Sequence, residues 1–299
     1  MEPEENPLKN YSLDQLRGMG GNLGYQPEQL GIKQSLKSFG VKMIKKMGIH
    51  KMLGTALGIE SSPDNQNTKK KLTTTLPSSY DYRTAHPGCT HAVLNQQSCG
   101  SCWSFAATSM LQDRLCLHSN GAVNVQLSQQ DMVSCDFDNA GCSGGWLSHT
   151  INYLVVHGVV TSQCLAYASV DGAGRECSFR CDDANTEYKK YGCKFNSLKM
   201  TTSKEEMMEE IYLNGPVMVG FIVYSDFMSY GGGYYEVSPS ASISGGHAVI
   251  VHGWGYNGGR LYWIAQNQWG TTWGSSGYFN IYEDQAGFDL VGISCIPDV

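Results

Sequence analysis

The sequence predicts an α+β fold with a helical first half and a strand-rich second half. Three observations lead there. Residues 102–160 read as helices, with apolar positions three and four apart. After Pro216 the pattern changes to the two-residue alternation of strands. The chain is 299 residues long, 41% hydrophobic and 16% charged, enough for one large or two small domains with real cores.

The first helix starts at Cys102 and runs through Trp103, Phe105, Met110 and Leu111 without Gly or Pro, as a largely buried helix would. Ser128 opens a second, with Asp131 at the capping-box spacing. Leu147, Ile151, Leu154 and Val155 mark a third, which ends at Gly158. A helix capped by Ser203 and Glu206 links the two halves. Val217, Val219, Phe221 and Val223 alternate as a strand, and shorter strands are predicted near residues 248–251, 261–265 and 278–282. There is no internal repeat.

A composition boundary falls near residue 76. Up to it there are eleven Lys and Arg against seven Asp and Glu; beyond it, ten against twenty. All eleven cysteines lie beyond it as well. The predicted organisation is therefore a basic segment and linker over residues 1–76, then an acidic, cysteine-rich domain over residues 77–299. The linker is polar and ends in Lys69-Lys70-Lys71. Within the segment, Ile32, Leu36, Phe39 and Met43 recur at helical spacing among lysines, which suits a detachable segment docked on its own domain or a membrane-surface helix.

The net charge of -6 argues against nucleic-acid binding, and no run of eighteen apolar residues predicts a membrane span. Eleven cysteines imply disulfides and an oxidising compartment, with one thiol left over. The acidic start Met1-Glu2-Pro3-Glu4-Glu5 lacks the apolar core of a signal peptide, so a leader lies outside this sequence or export is unconventional.

The chemistry centres on Gln96-Gln97-Ser98-Cys99-Gly100-Ser101-Cys102-Trp103. A thiol attacks a carbonyl as thiolate, and a helix N-terminus favours that anion. Cys102 stands at such a terminus and is the candidate nucleophile. The same cysteines also suit a structural disulfide, a redox pair or a zinc site. A redox pair would lie near a βαβ pattern, and zinc would need clustered ligands; neither is visible, and no metal site is expected. His247, in Gly245-Gly246-His247-Ala248-Val249, lies 145 residues after Cys102 at the mouth of a strand, as a general base for it would. Asn267 offers an amide oxygen to orient that imidazole, and the following Trp269 a ring to shield the bond. Gln96 offers an amide N–H that, with the Cys102 backbone N–H, would hold an oxyanion. The glycine-rich Gly141-Cys142-Ser143-Gly144-Gly145-Trp146 leaves backbone bare for an extended peptide. Gly144, Gly145, Gly246 and Trp269 are the candidate substrate-binding residues.

Taken together, these motifs resemble the papain-like cysteine proteases, and the cathepsin B subfamily most of all, over about residues 77–299. Gly253-Trp254-Gly255, Asp113-Arg114-Leu115-Cys116 and Tyr224-Ser225-Asp226-Phe227 belong to the likeness, as does Leu76-Pro77-Ser78-Ser79-Tyr80, which is similar to a mature family N-terminus. The resemblance implies a papain-like two-lobe fold, one lobe helical and one β-barrel-like, with the active-site cleft between them. It implies a monomeric cysteine peptidase made as a zymogen, needing no cofactor. Its partners would be peptide and protein substrates, its own pro-segment and inhibitors of cystatin type. The location implied is a lysosome, a vacuole or the extracellular space. It also implies disulfides Cys89–Cys116, Cys99–Cys142, Cys135–Cys177 and Cys164–Cys181. Cys193 and Cys295 remain over, as a fifth pair by elimination.

The sequence departs from the family pattern at three places. Gln97 stands where Gly is usual, and Gln268 follows Asn267 where Ser is usual. The stretch between Cys164 and Cys177 is short and holds no His, whereas cathepsin B carries there an occluding loop whose histidines bind a substrate's terminal carboxylate. Endopeptidase action is the expectation that follows. The alternatives are a catalytically impaired binding relative and a residual dipeptidyl exopeptidase. Val291 stands where relatives carry an acidic residue at the base of the second specificity pocket, which favours an apolar side chain there.

Overall fold

The computed structural model describes residues 75–299. The basic helical pattern around residues 32–43 and the linker through Lys71 lie outside the described residues. The domain opens with a short strand β1 (Tyr80–Asp81) and a one-turn helix α1 (Tyr82–Ala85) capped by Asp81, whose side chain accepts from Arg83 N–H. Three helices follow: α2 (Cys102–His118), α3 (Gln129–Cys135) and α4 (Leu147–Val156). Ser128 caps α3 by accepting from Asp131 N–H, as its spacing predicts. Gly158 takes φ +64° just past α4, the left-handed turn that ends a helix there.

The second half contains β2 (Lys199–Thr201), α5 (Lys204–Asn214), β3 (Val217–Tyr224), β4 (Tyr234–Tyr235), β5 (Ile243–Asn257), β6 (Arg260–Gln266), β7 (Tyr278–Tyr282) and β8 (Gly292–Ser294). Ser203 caps α5 by accepting from Glu206 N–H. The strands form one eight-stranded sheet in the order β2-β8-β3-β5-β6-β7-β4, with β1 added on β5. The path stays open between β2 and β4, so the barrel-like half has no closing pair among the described residues. Strand β5 is the spine. It pairs antiparallel with β3 on one side, Phe221 opposite His247, and with β6 on the other.

Two cores result. One fills the strand half around Phe227, Trp263, Trp269, Trp273 and Phe279. The other lies between α2, α3 and α4 and reaches Ala248 and Ile250 on β5. Helix α2 is buried from Cys102 to Cys116, a helix with no solvent face. Its polar groups therefore need partners in the protein. Asp113 takes His91 Nδ1 at 2.7 Å and His252 Nε2 at 3.0 Å. Arg114 donates to Glu210 Oε1 at 2.8 Å and to the carbonyls of Pro216, Gly215 and Cys295. All five expected disulfides are present, Cys193–Cys295 included, and Cys102 is the cysteine outside them.

Burial pulls the Glu210 carboxyl upward, but the Arg114 charge and hydrogen bonds from Arg114, Asn214 and Ser294 outweigh it and hold the group below the ordinary carboxylate range. The stability this contributes is present above the unfolded carboxylate pKa of about 4.3 and is lost as pH falls through the depressed folded value. Arg114→Met strands the buried Glu210 charge and should cost about 3–5 kcal/mol at neutral pH. Chemical denaturation of the variant at pH 7 and pH 3 checks this, the deficit shrinking in acid as Glu210 protonates.

Candidate active site

Cys102 is the first residue of α2 and is 1% exposed. Burial pushes its thiol up to about 12, while the backbone N–H groups of Ala248, Trp103 and Cys102, which face the sulfur, work in the opposite direction. The Ala248 contact places the sulfur beside the residue that follows His247. The start of α2 and the His247 stretch of β5 thus adjoin at the junction of the two halves.

His247 lies on β5 with its ring fully buried. Its Nε2 is 2.8 Å from Asn267 Oδ1. That oxygen can only accept, so Nε2 carries the hydrogen and the ring's other nitrogen, Nδ1, is the one left for acid–base work. Asn267 Oδ1 also accepts from Gln268 N–H at 2.9 Å, and the two donors fix which way the amide faces. Trp269 covers the imidazole, ring centroids 4.8 Å apart, and Phe221 meets it edge-on at 5.7 Å. The Trp269 contact is a tilted one, with 32° between the ring planes.

Gln268 does more than occupy the position of a usual serine. Its side-chain amide donates to Ala248 O at 2.6 Å, and its carbonyl accepts from Gln96 N–H at 2.9 Å. One residue therefore ties the Asn267 loop to the His247 strand and to the Gln96 loop. Gln96 is fully buried and donates one amide N–H to Cys99 O at 2.7 Å. Gln97 sits at φ +56°, a left-handed conformation that costs a residue with a side chain roughly 1–2 kcal/mol. Asn95 Oδ1 holds the turn by accepting from Gln97 N–H at 2.9 Å.

The glycine-rich turn is fastened to the segment around Cys102. The Cys99–Cys142 disulfide joins the two loops, Gly100 N–H donates to Cys142 O at 2.9 Å, and Trp103 Nε1–H donates to Gly141 O at 3.0 Å. A Cβ at Gly145 would lie 2.7 Å from the Trp103 ring and 2.6 Å from Asn139 Oδ1, so only glycine fits. Gly144 precedes it in the same turn. Gly246 stands next to His247 on β5, opposite Ile222. Val291 is half-buried against the helical-half core, one residue before β8.

Three participants were not legible as such: the Ala248 N–H, the bridging role of Gln268, and Tyr167, whose hydroxyl donates to Gln96 O at 2.9 Å. Among the described residues no cluster of His, Cys, Asp and Glu could hold a metal. None of the described helices is long and apolar enough to cross a membrane.

Comparison with known proteins places the chain in a family. A family model described as papain family cysteine protease matches residues 76–294. A cathepsin B-like cysteine proteinase of Caenorhabditis elegans is 32% identical, covering 89% of this chain and 88% of that one. Cathepsin B of Dictyostelium discoideum is 35% identical over 82% and 84% of the two chains. A cathepsin B-like protein of Giardia intestinalis is 36% identical over 69% of each. Among solved structures, procathepsin B of Trypanosoma congolense superposes with a TM-score of 0.77 at 24% identity, covering 98% of this chain and 91% of that one. Procathepsin L2 of Tenebrio molitor superposes at 0.68, with 23% identity and coverage of 98% and 82%.

Asn267→Ala removes the acceptor shared by His247 and Gln268, leaving two buried donors unsatisfied. The expected loss is about 1–3 kcal/mol of stability per group. Denaturant titration measures it, and Asn267→Asp, which keeps the acceptor, should recover most of it.

Proposed function

We propose that this chain, which belongs to the papain family of cysteine proteases, is a cathepsin B-like thiol endopeptidase made as a zymogen. One observation carries the reading: the Cys102 sulfur receives the Ala248 N–H while the neighbouring His247 is oriented through Nε2 by Asn267. In this reading the Cys102 thiolate attacks the scissile carbonyl, with His247 as imidazolium. The oxyanion is held by the Cys102 N–H and the Gln96 amide. His247 gives its proton to the leaving amine as the C–N bond breaks, leaving a thioester on Cys102. His247 then takes a proton from water, whose oxygen displaces the sulfur and frees the acid.

An impaired binding relative is the weaker reading, because the whole constellation is present and coherently bonded. Gly144, Gly145, Gly246 and Trp269 would line the cleft for an extended peptide. Val291, unable to pair a guanidinium, favours an apolar residue in the second pocket. Family membership and five disulfides fit a lysosomal, vacuolar or secreted location. Action as a monomer, open to cystatin-type inhibitors, completes the reading.

Endopeptidase action is supported by the Cys164–Cys177 stretch. It holds no histidine, and its Arg175 is engaged by Asp171 at 3.0 Å and by the carbonyls of Ala168, Ala173 and Gly174. Nothing there is left to hold a substrate's terminal carboxylate. A long peptide blocked at its C-terminus and its free-acid twin should both be cut internally at similar rates, as read by mass spectrometry. Stepwise dipeptide release confined to the free acid would assign an exopeptidase.

Residues 1–76 are proposed as the inhibitory pro-segment. The basic segment and acidic domain attract, and acid weakens that attraction by protonating carboxylates. Leu76 is half-buried against the strand-half core, whereas Thr75, Pro77 and Ser78 are exposed. The active form should therefore begin within a few residues of Leu76 by N-terminal mass analysis. Full activity from the uncut chain argues against the assignment.

A further inference from the structure

The stretch that replaces the long loop of relatives packs inward, against the loop before the nucleophile. It is framed by Cys164–Cys181 and Cys135–Cys177. Gln130 clasps it, its Oε1 accepting from Ala168 N–H at 2.8 Å and Ser169 N–H at 3.1 Å. Val170 O accepts from Ser98 N–H at 3.3 Å, and a Cβ at Gly172 would press on Ser98 O at 3.0 Å. Tyr167 is half-buried, its ring edge-on to Phe105 with centroids 4.9 Å apart.

Its hydroxyl joins two loops. Burial pushes the phenol up to about 12, so the proton stays on. Tyr167 has one hydrogen and Gln96 O can only accept it, at 2.9 Å. Ser101 Oγ, also at 2.9 Å, must then be the donor to Tyr167. Ser101 is the N-cap of α2, and an N-cap serine ordinarily accepts a first-turn N–H. Here it makes no such bond. The Trp103 N–H that a capping hydroxyl would take instead acts on the Cys102 sulfur, working against the upward push of burial.

We propose that Tyr167 is a positioning residue that acts through Ser101 and Gln96. It turns the N-cap hydroxyl away, which keeps the Trp103 N–H for the sulfur. It also ties the Gln96 backbone to the nucleophile's helix, which sets the spacing of the two oxyanion donors. The second effect rests on the peptidase reading; the first does not.

The test is Tyr167→Phe, which removes one oxygen and keeps the ring. With Ser101 released to cap α2, alkylation of Cys102 by iodoacetamide in the full chain should need a higher pH, its half-maximum moving up by about half a unit. Adding Ser101→Ala removes the competing hydroxyl and should return the alkylation profile to that of the parent. Peptide hydrolysis by the activated Tyr167→Phe protein should lose about tenfold in kcat with KM little changed, less than the hundredfold or more of deleting an oxyanion donor outright. The double variant should not regain it. A folded Tyr167→Phe protein with parental alkylation and kcat overturns the proposal, as does a shift in alkylation that Ser101→Ala fails to reverse. A parent that alkylates normally but hydrolyses no peptide would refute the peptidase reading and leave the alkylation arm standing.

Discussion

A helix buried on every side must find partners for each polar group it carries, and α2 meets this constraint in a way that places the active site. Its inner end carries Asp113 and Arg114. Asp113 is held by His252 on β5 and by His91, while Arg114 is held by Glu210 on α5 and three carbonyls. Its outer end carries Cys102, held by Ala248 N–H on the same strand β5. From Cys102 to Asp113 the helix rises about 16 Å, and from Ala248 to His252 the strand advances about 14 Å. Helix and strand are thus fastened at two similarly spaced points. With the inner contacts in place, Cys102 has little freedom to sit anywhere but beside the His247 strand.

Around that rod, short loops supply the chemistry, and each is tied to another. Asn267 orients His247, Gln268 ties Asn267 to both Ala248 and Gln96, and the Cys99–Cys142 disulfide ties the nucleophile's turn to the glycine turn. The strain of a left-handed Gln97 is carried where these ties converge, in the loop that holds Gln96. Catalysis by preorganised donors requires such over-determined placement, because a donor that must move into position at the moment of reaction has lost much of its worth.

Much of this was legible in the sequence, for physical reasons. Cys102, His247 and Asn267 stand in local contexts of glycine, tryptophan and apolar runs that few other roles would produce. The caps at Ser128 and Ser203 were readable because capping depends on a spacing of three residues. Strands β3, β5, β6 and β7 were readable because their burial alternates or runs unbroken. The short strands β1, β2, β4 and β8 were not, since two or three residues carry no period. Arg114 was not, because burial of a guanidinium depends on carbonyls about a hundred and more positions away. Gln268 and Tyr167 were illegible for the same reason. A glutamine or tyrosine in a loop has no signature until the fold shows which atoms it meets.

The central claim is that Cys102 reacts as a nucleophile because His247 stands beside it. Treatment of the activated protein with a peptidyl chloromethyl ketone, followed by peptide mapping, tests this directly. The account predicts one equivalent of label, carried on Cys102, with labelling slowed by orders of magnitude in His247→Ala at neutral pH. Label on another residue, or labelling of Cys102 at an unchanged rate without His247, would contradict it.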